Sequence, residues 1–200
     1  MLRNDVFTIP SFLTANELEL VESSFLQNLH LFQDSQIVGR RLTVGRAERQ
    51  IRSSRYMIAP DDVRRVYVPK LARIAEEVAQ AFGVGAVSTA ESGIEAQMTI
   101  SDRGDFFRRH NDSTDATRPD RSLSYVHYVH SHPTQFSGGE LVVEFDGQAT
   151  VLEPKRNLLV IFPSILKHEV RSVGDGAVSP LDKRITVNGW IHAAPPELSD

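Results

Sequence analysis

The sequence contains no cysteine among its 200 residues and only one tryptophan. The absence of cysteine excludes disulfide bonds, thiolate metal sites and a cysteine nucleophile. No apolar run approaches the roughly 18 residues that cross a membrane, and Met1–Phe7 lacks an apolar stretch of signal-peptide length. We therefore predict a cytoplasmic protein that has no membrane partner.

Neither positive nor negative charge is in large excess. The chain carries 22 basic and 26 acidic residues, a formal net charge of -4. Arginines near the metal motif described below, such as Arg108 and Arg109, are offset by nearby aspartates, so we predict no nucleic-acid partner. Apolar residues make up 40% of the chain and charged residues 24%, which is typical of a soluble globular protein. The length predicts a single domain over residues 1–200.

Helical patterns are confined to the first half of the chain. We predict that about residues 1–90 form a support of helices and mixed structure. Thr14 precedes the first pattern, and Glu17 comes three residues after Thr14, which is the spacing of a capping box. A second apolar stripe begins near residue 63 and ends at Gly83. Since Pro69 falls inside this stripe, we predict that the helix starts after it, with a separate turn before it.

From residue 94 onward, short apolar segments alternate with turn residues. The Asp146-Gly147 pair between two such segments is a strong hairpin signal. Many short strands preceded by helices predict a mainly β, α+β fold, namely a double-stranded β-helix (jelly roll) over about residues 94–192 that N-terminal helices buttress. The predicted strands are Ile94–Ile100, Leu123–His130, Glu140–Phe145, Ala149–Leu152, Asn157–Phe162, His168–Val173 and Arg184–Ile191.

Histidine and aspartate two residues apart, at His110 and Asp112, form a candidate metal motif. In an extended segment such residues point to the same side, about 6.6 Å apart. With one imidazole from a distant strand they would form a two-histidine, one-carboxylate face, which leaves positions open for a cosubstrate and O2 on Fe(II). A zinc hydrolase also has three protein ligands, but zinc favours four-coordinate geometry. The motif alone is weak evidence, because a polar loop produces it often.

A later strand-like segment separates polar from apolar positions cleanly. Arg184, Thr186, Asn188 and Trp190 fall on one face, with isoleucine and valine on the other. A polar inner face implies a functional interior, where an arginine can bind a carboxylate through two parallel hydrogen bonds. His168 begins the preceding strand after a Pro-Ser turn, although a lone histidine there could equally be a hydrogen-bonded core residue.

These segments occur in an order that resembles the catalytic core of a known enzyme family. Over roughly residues 94–192 the sequence resembles the prolyl 4-hydroxylase branch of the Fe(II)- and 2-oxoglutarate-dependent oxygenases. The segments that carry the resemblance are 104–112 (GDFFRRHND), 121–129 (RSLSYVHYV), 136–141 (FSGGEL), 154–164 (PKRNLLVIFPS), 168–170 (HEV) and 184–190 (RITVNGW).

The resemblance implies a set of ligands. His110, Asp112 and His168 would ligate Fe(II), and Arg184 would pair with the distal carboxylate of 2-oxoglutarate, the cosubstrate used with O2. Ascorbate is a further candidate as reductant. Because related halogenases lack the carboxylate ligand, Asp112 favours hydroxylation of an unactivated C–H bond.

The resemblance also implies the walls of the cosubstrate pocket. Tyr128 stands where the family often has a tyrosine that donates to the same carboxylate, and Leu141 would pack near the cosubstrate chain. The strand positions that share the face of Arg184 should line the pocket: Thr186, Asn188 and Trp190.

The sequence departs from the family pattern at three places, all of which affect the expected substrate more than the chemistry. Ser101 stands where a tyrosine is common, and His130 stands where an asparagine is usual. The interval between the last metal ligand and the arginine is longer than is typical, and the excess is expected as a loop at Gly174–Asp182.

Several functions remain open at this stage. The leading one is hydroxylation of a prolyl or other residue in a protein or peptide, and the alternative is oxidation of a free amino acid or small metabolite. A non-catalytic metal-binding jelly roll is a different class. The basic segment 39–50 is predicted to be an exposed loop that could cover a substrate. His127 is predicted to face outward, and the oligomeric state is left open.

Overall fold

The structure is a computed structural model that describes residues 5–35, 51–114, 118–176 and 178–195. The basic segment 39–50 lies outside the described residues. None of the helices in the described part is long and apolar enough to cross a membrane. The helices and strands are, in chain order, β1 (Phe7–Pro10), α1 (Ala15–Gln27), β2 (Gln33–Asp34), β3 (Arg52–Ser53), β4 (Arg55–Ile58), α2 (Asp61–Phe82), β5 (Ile94–Ser101), β6 (Phe106–His110), β7 (Arg121–Tyr128), β8 (Leu141–Phe145), β9 (Gln148–Leu152), β10 (Leu158–Pro163), β11 (Lys167–Val170) and β12 (Arg184–His192).

The strands form two antiparallel sheets that face each other. The larger sheet has seven strands in the order β1-β10-β7-β12-β5-β4-β2, and the smaller has five in the order β3-β6-β11-β8-β9. Strands that are distant in the chain lie side by side in both sheets, as in a jelly roll. The α+β fold with a jelly-roll core and N-terminal helices is confirmed.

Two cores hold these layers together. The larger one packs the helices on the outer face of the seven-stranded sheet, and its fully buried members include Phe25, Leu71 and Met98. The smaller one lies between the sheets and contains Tyr128, Leu141 and four other residues. The helices therefore close one face of the larger sheet and leave its other face to the smaller sheet and the pocket between them.

The first helix begins as predicted. Thr14 Oγ1 accepts from Glu17 N and the Glu17 carboxylate accepts from Thr14 N at 2.8 Å, which completes the capping box. The second helix ends at Gly83, whose φ of 66° is left-handed as a C-cap requires. The predicted start after Pro69 is wrong, because α2 runs without interruption from Asp61 to Phe82.

The hairpin between β8 and β9 is also confirmed. Asp146 and Gly147 have φ values of 48° and 75°, so both central residues are left-handed, as a type I′ turn requires. The structure adds strands that the sequence did not predict, namely β6 and the two- to four-residue strands β2, β3 and β4.

His127 is not outward-facing, and this prediction is wrong. Its side chain points away from Tyr128, but helix α2 covers that face of the sheet, so His127 has no exposed surface. The Tyr67 hydroxyl lies 2.5 Å from Nδ1, and Nε2 lies 3.0 Å from Asn157 Oδ1. Since that amide oxygen can only accept, Nε2 carries the proton and Nδ1 accepts from Tyr67.

Candidate active site

Strand pairing brings the two candidate histidine ligands together. His110 on β6 and His168 on β11 are directly opposite each other, and their ring centroids are 4.2 Å apart. Asp112 joins them: its Oδ1 lies 3.6 Å from His110 Nε2, and its Oδ2 lies 3.3 Å from His168 Nε2. One ligand atom from each of the three residues lies within 4.8 Å of the others, so the group could hold a metal ion.

Both imidazoles are oriented by backbone carbonyls. His110 Nδ1 lies 2.8 Å from the carbonyl oxygen of Arg108, and His168 Nδ1 lies 3.0 Å from that of Leu166. Because a carbonyl oxygen can only accept, each Nδ1 carries the proton and each neutral ring keeps on Nε2 the lone pair that can bind a metal ion. Imidazoles that ligate a metal are usually held in this way.

The carboxylate is positioned by residues that the sequence did not indicate. β6 ends at His110, so Asp112 lies just beyond the strand, with its backbone N–H donating to the Ser164 carbonyl at 3.0 Å. Ser124 Oγ donates to Asp112 Oδ2 at 2.7 Å and lies 2.9 Å from Ser164 Oγ. The Pro-Ser turn before β11 therefore fixes the aspartate as well as the path to the second histidine.

The protonation states suit a metal site. Burial would raise the pKa of Asp112, but the two neighbouring imidazoles outweigh it and hold that pKa well below its ordinary value. Burial lowers the pKa of His110, with an opposing effect from Asp112. At neutral pH the aspartate is ionised and His110 is neutral, and these are the forms that bind a cation.

A buried cation lies across the pocket from the triad. Arg184 is only 3% exposed, its Nε donates to the Gly139 carbonyl at 2.8 Å, and its Nη2 has no hydrogen-bond partner among the described residues. The guanidinium carbon lies 5.2 Å from the centre of the Tyr128 ring, and the buried Tyr128 hydroxyl likewise has no partner in the part of the chain that the structure describes. Two unsatisfied buried donors beside each other are costly unless an acceptor binds there.

Glycine makes room for this arginine. Gly139 has a φ of 71°, and a Cβ at this position would lie 2.7 Å from Arg184 Cδ. A side chain here would be strained in its backbone and would push the guanidinium out of place.

The remaining residues predicted to line the pocket do lie on its wall, with one exception. Leu141, Thr186, Asn188 and Trp190 line the pocket, whereas Tyr128 lies behind Arg184 rather than on the wall. Asn188 Oδ1 lies 2.8 Å from Thr99 Oγ1 and 3.1 Å from Thr186 Oγ1 and accepts from both hydroxyls, so its NH2 group is the part left to meet a ligand.

The three departures from the family pattern surround the arginine. Ser101 is buried and pairs with Arg184 across β5 and β12. His130 is buried against the Tyr128 and Phe136 rings, and no described residue forms a hydrogen bond with its Nδ1. The long interval between His168 and Arg184 contains a short 3-10 helix at Pro180–Asp182. The Ser131 hydroxyl donates to Asp182 Oδ1 at 2.9 Å and so holds this helix against the rest of the fold.

The matched sequence family agrees with this geometry. Residues 96–192 match the model of the 2OG-Fe(II) oxygenase superfamily, and they contain the triad and Arg184. The match covers just under half of the chain. An uncharacterized PKHD-type hydroxylase from Synechocystis is 35% identical over 109 residues, which make up 50% of this chain and 36% of the relative. The match thus spans about a third of that relative's length.

Solved structures share the fold over nearly the whole chain. A Pseudomonas putida prolyl-4-hydroxylase superposes with a TM-score of 0.70 at 20% identity, covering 96% of this chain and 94% of that one. A Trichoplax adhaerens prolyl hydroxylase, solved with a hypoxia inducible factor oxygen degradation domain peptide fragment, gives 0.69 at 18% identity, covering 94% of this chain and 84% of that one. At these identities the likeness establishes the fold alone.

Proposed function

We propose that the protein is an Fe(II)- and 2-oxoglutarate-dependent dioxygenase that hydroxylates an unactivated C–H bond. The observation that carries this proposal is one pocket lined by both the His-Asp-His cluster and Arg184, beside which the Tyr128 hydroxyl is buried; among the described residues neither Arg184 Nη2 nor this hydroxyl has a hydrogen-bond partner. The cluster suits a divalent cation and the donors suit a dicarboxylate, and this chemistry needs both groups.

His110, Asp112 and His168 would hold the metal. Three protein ligands leave open positions, which the two-histidine, one-carboxylate face provides for Fe(II) in oxygenases. When bound, the iron supplies the oxidation that couples decarboxylation of 2-oxoglutarate by O2 to hydroxylation of the substrate. The chain's own residues orient the ligands: the carbonyls behind the imidazoles fix their tautomers, and Ser124 fixes the carboxylate.

Arg184 and Tyr128 would bind the distal carboxylate of 2-oxoglutarate. A carboxylate accepts charge-assisted hydrogen bonds from a guanidinium and would satisfy both buried donors at once. Leu141 and Thr186 would contact the carbon chain, since both line the pocket between Arg184 and the triad side. A pocket of this depth keeps water away from the reacting atoms.

The substrate we propose first is a prolyl or other residue in a protein or peptide, with a free amino acid or small metabolite as the alternative. The first is supported by the Pseudomonas putida and Trichoplax adhaerens neighbours, which are prolyl hydroxylases by name. We also propose ascorbate as an accessory reductant, which would raise the number of turnovers before inactivation without changing the product.

Anaerobic titration with Fe(II) and 2-oxoglutarate tests the metal and cosubstrate sites. We expect the weak visible charge-transfer band of the chelate in the unmodified protein and its loss in Asp112→Ala. Asp175→Ala is the matched control, because this carboxylate is 70% exposed and pairs only with Arg103 among the described residues. Absence of the band from folded, unmodified protein would refute the proposal and favour a binding role for the barrel.

A substrate screen then tests hydroxylation. Proline-containing peptides and free amino acids are incubated with Fe(II), 2-oxoglutarate and O2, and products are examined by mass spectrometry for the gain of one oxygen atom. Succinate that forms only when a particular compound is present identifies that compound as a substrate.

A further inference from the structure

A second guanidinium lies in the same pocket as the triad. Arg52 on β3 lines the pocket, and its guanidinium carbon lies 4.7 Å from the centre of the Phe107 ring. The Phe107 ring is stacked on His110 with centroids 3.5 Å apart and an interplanar angle of 18°. One aromatic ring thus links Arg52 to an imidazole of the triad, so its charge is close to the place where a substrate must react.

Arg52 has no carboxylate partner among the residues that the structure describes. Its Nε donates to Ser54 Oγ at 3.1 Å, and this is a neutral acceptor. Arg55, Arg109 and Arg121 each pair with an aspartate or glutamate. Burial lowers the pKa of Arg52 to about 10, with an opposing effect from the charge of Asp112, so the group is still a cation at neutral pH. A partly buried cation that no described carboxylate contacts is unfavourable, so the site favours a further anion.

The charge of the loaded pocket leads to the same conclusion. The charged side chains that line it are Arg52, Arg184 and Asp112, besides the two imidazoles. Bound Fe(II) would add two positive charges and 2-oxoglutarate two negative ones. Because the cosubstrate and the iron cancel each other, and Asp112 cancels one guanidinium, one positive charge is left. A monoanionic substrate would neutralise it.

The wall of the pocket offers further donors. Trp190 lines the pocket, and its buried indole Nε1–H has no hydrogen-bond partner among the residues that the structure describes. The Asn188 NH2 group is free to donate, since its oxygen already accepts from two hydroxyls. A wall that presents donors and a guanidinium favours a ligand rich in acceptor oxygens.

We propose that Arg52 binds a carboxylate of the substrate, so that the substrate class is compounds with a carboxylate near the C–H bond that is oxidised. The inference rests on the proposed function and narrows its substrate. The planar guanidinium can bind a carboxylate through two parallel hydrogen bonds, which would fix the substrate's orientation as well as add affinity. The carboxylate belongs either to a free amino or organic acid or to the C-terminus of a peptide.

Calorimetric titration of the protein loaded anaerobically with Fe(II) and saturating 2-oxoglutarate tests this inference. The probes are matched pairs of acid and amide: propionate with propionamide, benzoate with benzamide, and N-acetyl-L-proline with N-acetyl-L-prolinamide. We expect the acids to bind roughly tenfold or more tightly than their amides, because a charge-assisted hydrogen bond is worth about that factor. Arg52→Gln should abolish the preference.

Arg108→Gln is the matched control. Arg108 is exposed, its guanidinium carbon lies 4.6 Å from the Phe106 ring centre, and it does not line the pocket, so this variant removes the same charge from a similar stack. The acid preference should persist in Arg108→Gln. Equal or undetectable binding of acids and amides in the unmodified protein, or an unchanged preference in Arg52→Gln, would overturn the inference.

The visible chelate band separates this failure from failure of the proposed function. If the band forms but acids are not preferred, only the role of Arg52 is refuted; if no band forms, the proposed function itself fails. If Arg52→Gln does not fold, Arg52→Lys keeps the charge without the planar fork and should retain part of the preference. Peptides with free and amidated C-termini, compared with free amino acids, then identify which source supplies the carboxylate.

Discussion

Removal of one hydroxyl should stabilise the empty protein and weaken its cosubstrate binding at the same time. The Tyr128 side chain has no exposed surface, and its hydroxyl has no hydrogen-bond partner within the described ranges of the chain. Tyr128→Phe deletes that oxygen and keeps the ring under Arg184. The variant therefore separates a group kept for a ligand from a group kept for the fold.

The two effects have opposite signs and can be estimated. An unsatisfied buried polar group costs about 1–3 kcal/mol, so its removal should raise the free energy of unfolding of the cosubstrate-free protein by about 1 kcal/mol. A hydrogen bond to a charged group is worth about 1.5–3 kcal/mol, so the dissociation constant of 2-oxoglutarate should rise roughly tenfold to a hundredfold. Burial already raises the pKa of Tyr128, although Arg184 opposes it, so the hydroxyl is a donor at every working pH.

Urea unfolding without cosubstrate measures the first effect, and anaerobic calorimetric titration of 2-oxoglutarate measures the second. Tyr125→Phe is the control, since the Tyr125 hydroxyl is also buried but donates to the Glu95 carbonyl at 2.8 Å. This control should lose stability and leave the cosubstrate affinity nearly unchanged. A Tyr128→Phe protein that is less stable, or that binds 2-oxoglutarate normally, would contradict the assignment of this hydroxyl to the ligand.

Three further predictions concern the fold. Gly189→Ala should lower the unfolding free energy by about 3 kcal/mol, because its Cβ would lie 1.9 Å from the Glu95 carbonyl oxygen, whereas Gly85→Ala, with no atom within 4 Å, should be nearly neutral by the same urea assay. Thr14→Ala should cost about 1 kcal/mol through loss of the cap, seen as a lower thermal midpoint. Burial lowers the pKa of His127 to about 3, so the unfolded chain takes up this proton first, and stability should fall by about 1.4 kcal/mol per pH unit below about pH 6. His127→Gln should reduce this dependence of the unfolding free energy on pH by that amount, as measured by urea unfolding near pH 6 and pH 5. An equal dependence on pH in the variant and in the unmodified protein would contradict the reasoning.

The strands that the sequence predicts well are those whose alternation is long enough to be distinctive. β12 was expected at Arg184–Ile191 and occupies Arg184–His192, and β5 was expected at Ile94–Ile100 and occupies Ile94–Ser101. By contrast, β2 and β3 contain two residues each, too few to establish any period. Their pairing with β4 and β6 is a product of tertiary contact.

The candidate site likewise contains residues that the sequence predicts and residues that it does not. The triad and Arg184 were named from residue types in a characteristic order, and the structure brings all four to one pocket. Ser124 and Ser164 were not predicted, because single serines carry no pattern of their own. They become meaningful only through the pairing of β7 with β10 and the turn after it, which places both hydroxyls near Asp112. Arg52 was compatible with the resemblance but was given no role for a similar reason, because its segment is short and has no periodicity.

The two wrong predictions, the start of α2 and the orientation of His127, have one physical cause. The part of α2 before Pro69 carries Val63, Tyr67 and Val68, all buried against the larger sheet. Burial of each is worth about 1.5–3 kcal/mol, which together exceeds the roughly 3 kcal/mol that proline costs inside a helix. Pro69 itself is exposed, so its ring meets solvent instead of the sheet. Since Tyr67 on this first half of α2 reaches β7, the side of β7 opposite the pocket is covered at His127, which becomes the buried acceptor of Tyr67. A strand in this fold thus has two buried faces. Alternation along such a strand distinguishes residues that face the pocket from residues that pack against a helix, and it does not distinguish buried from exposed residues.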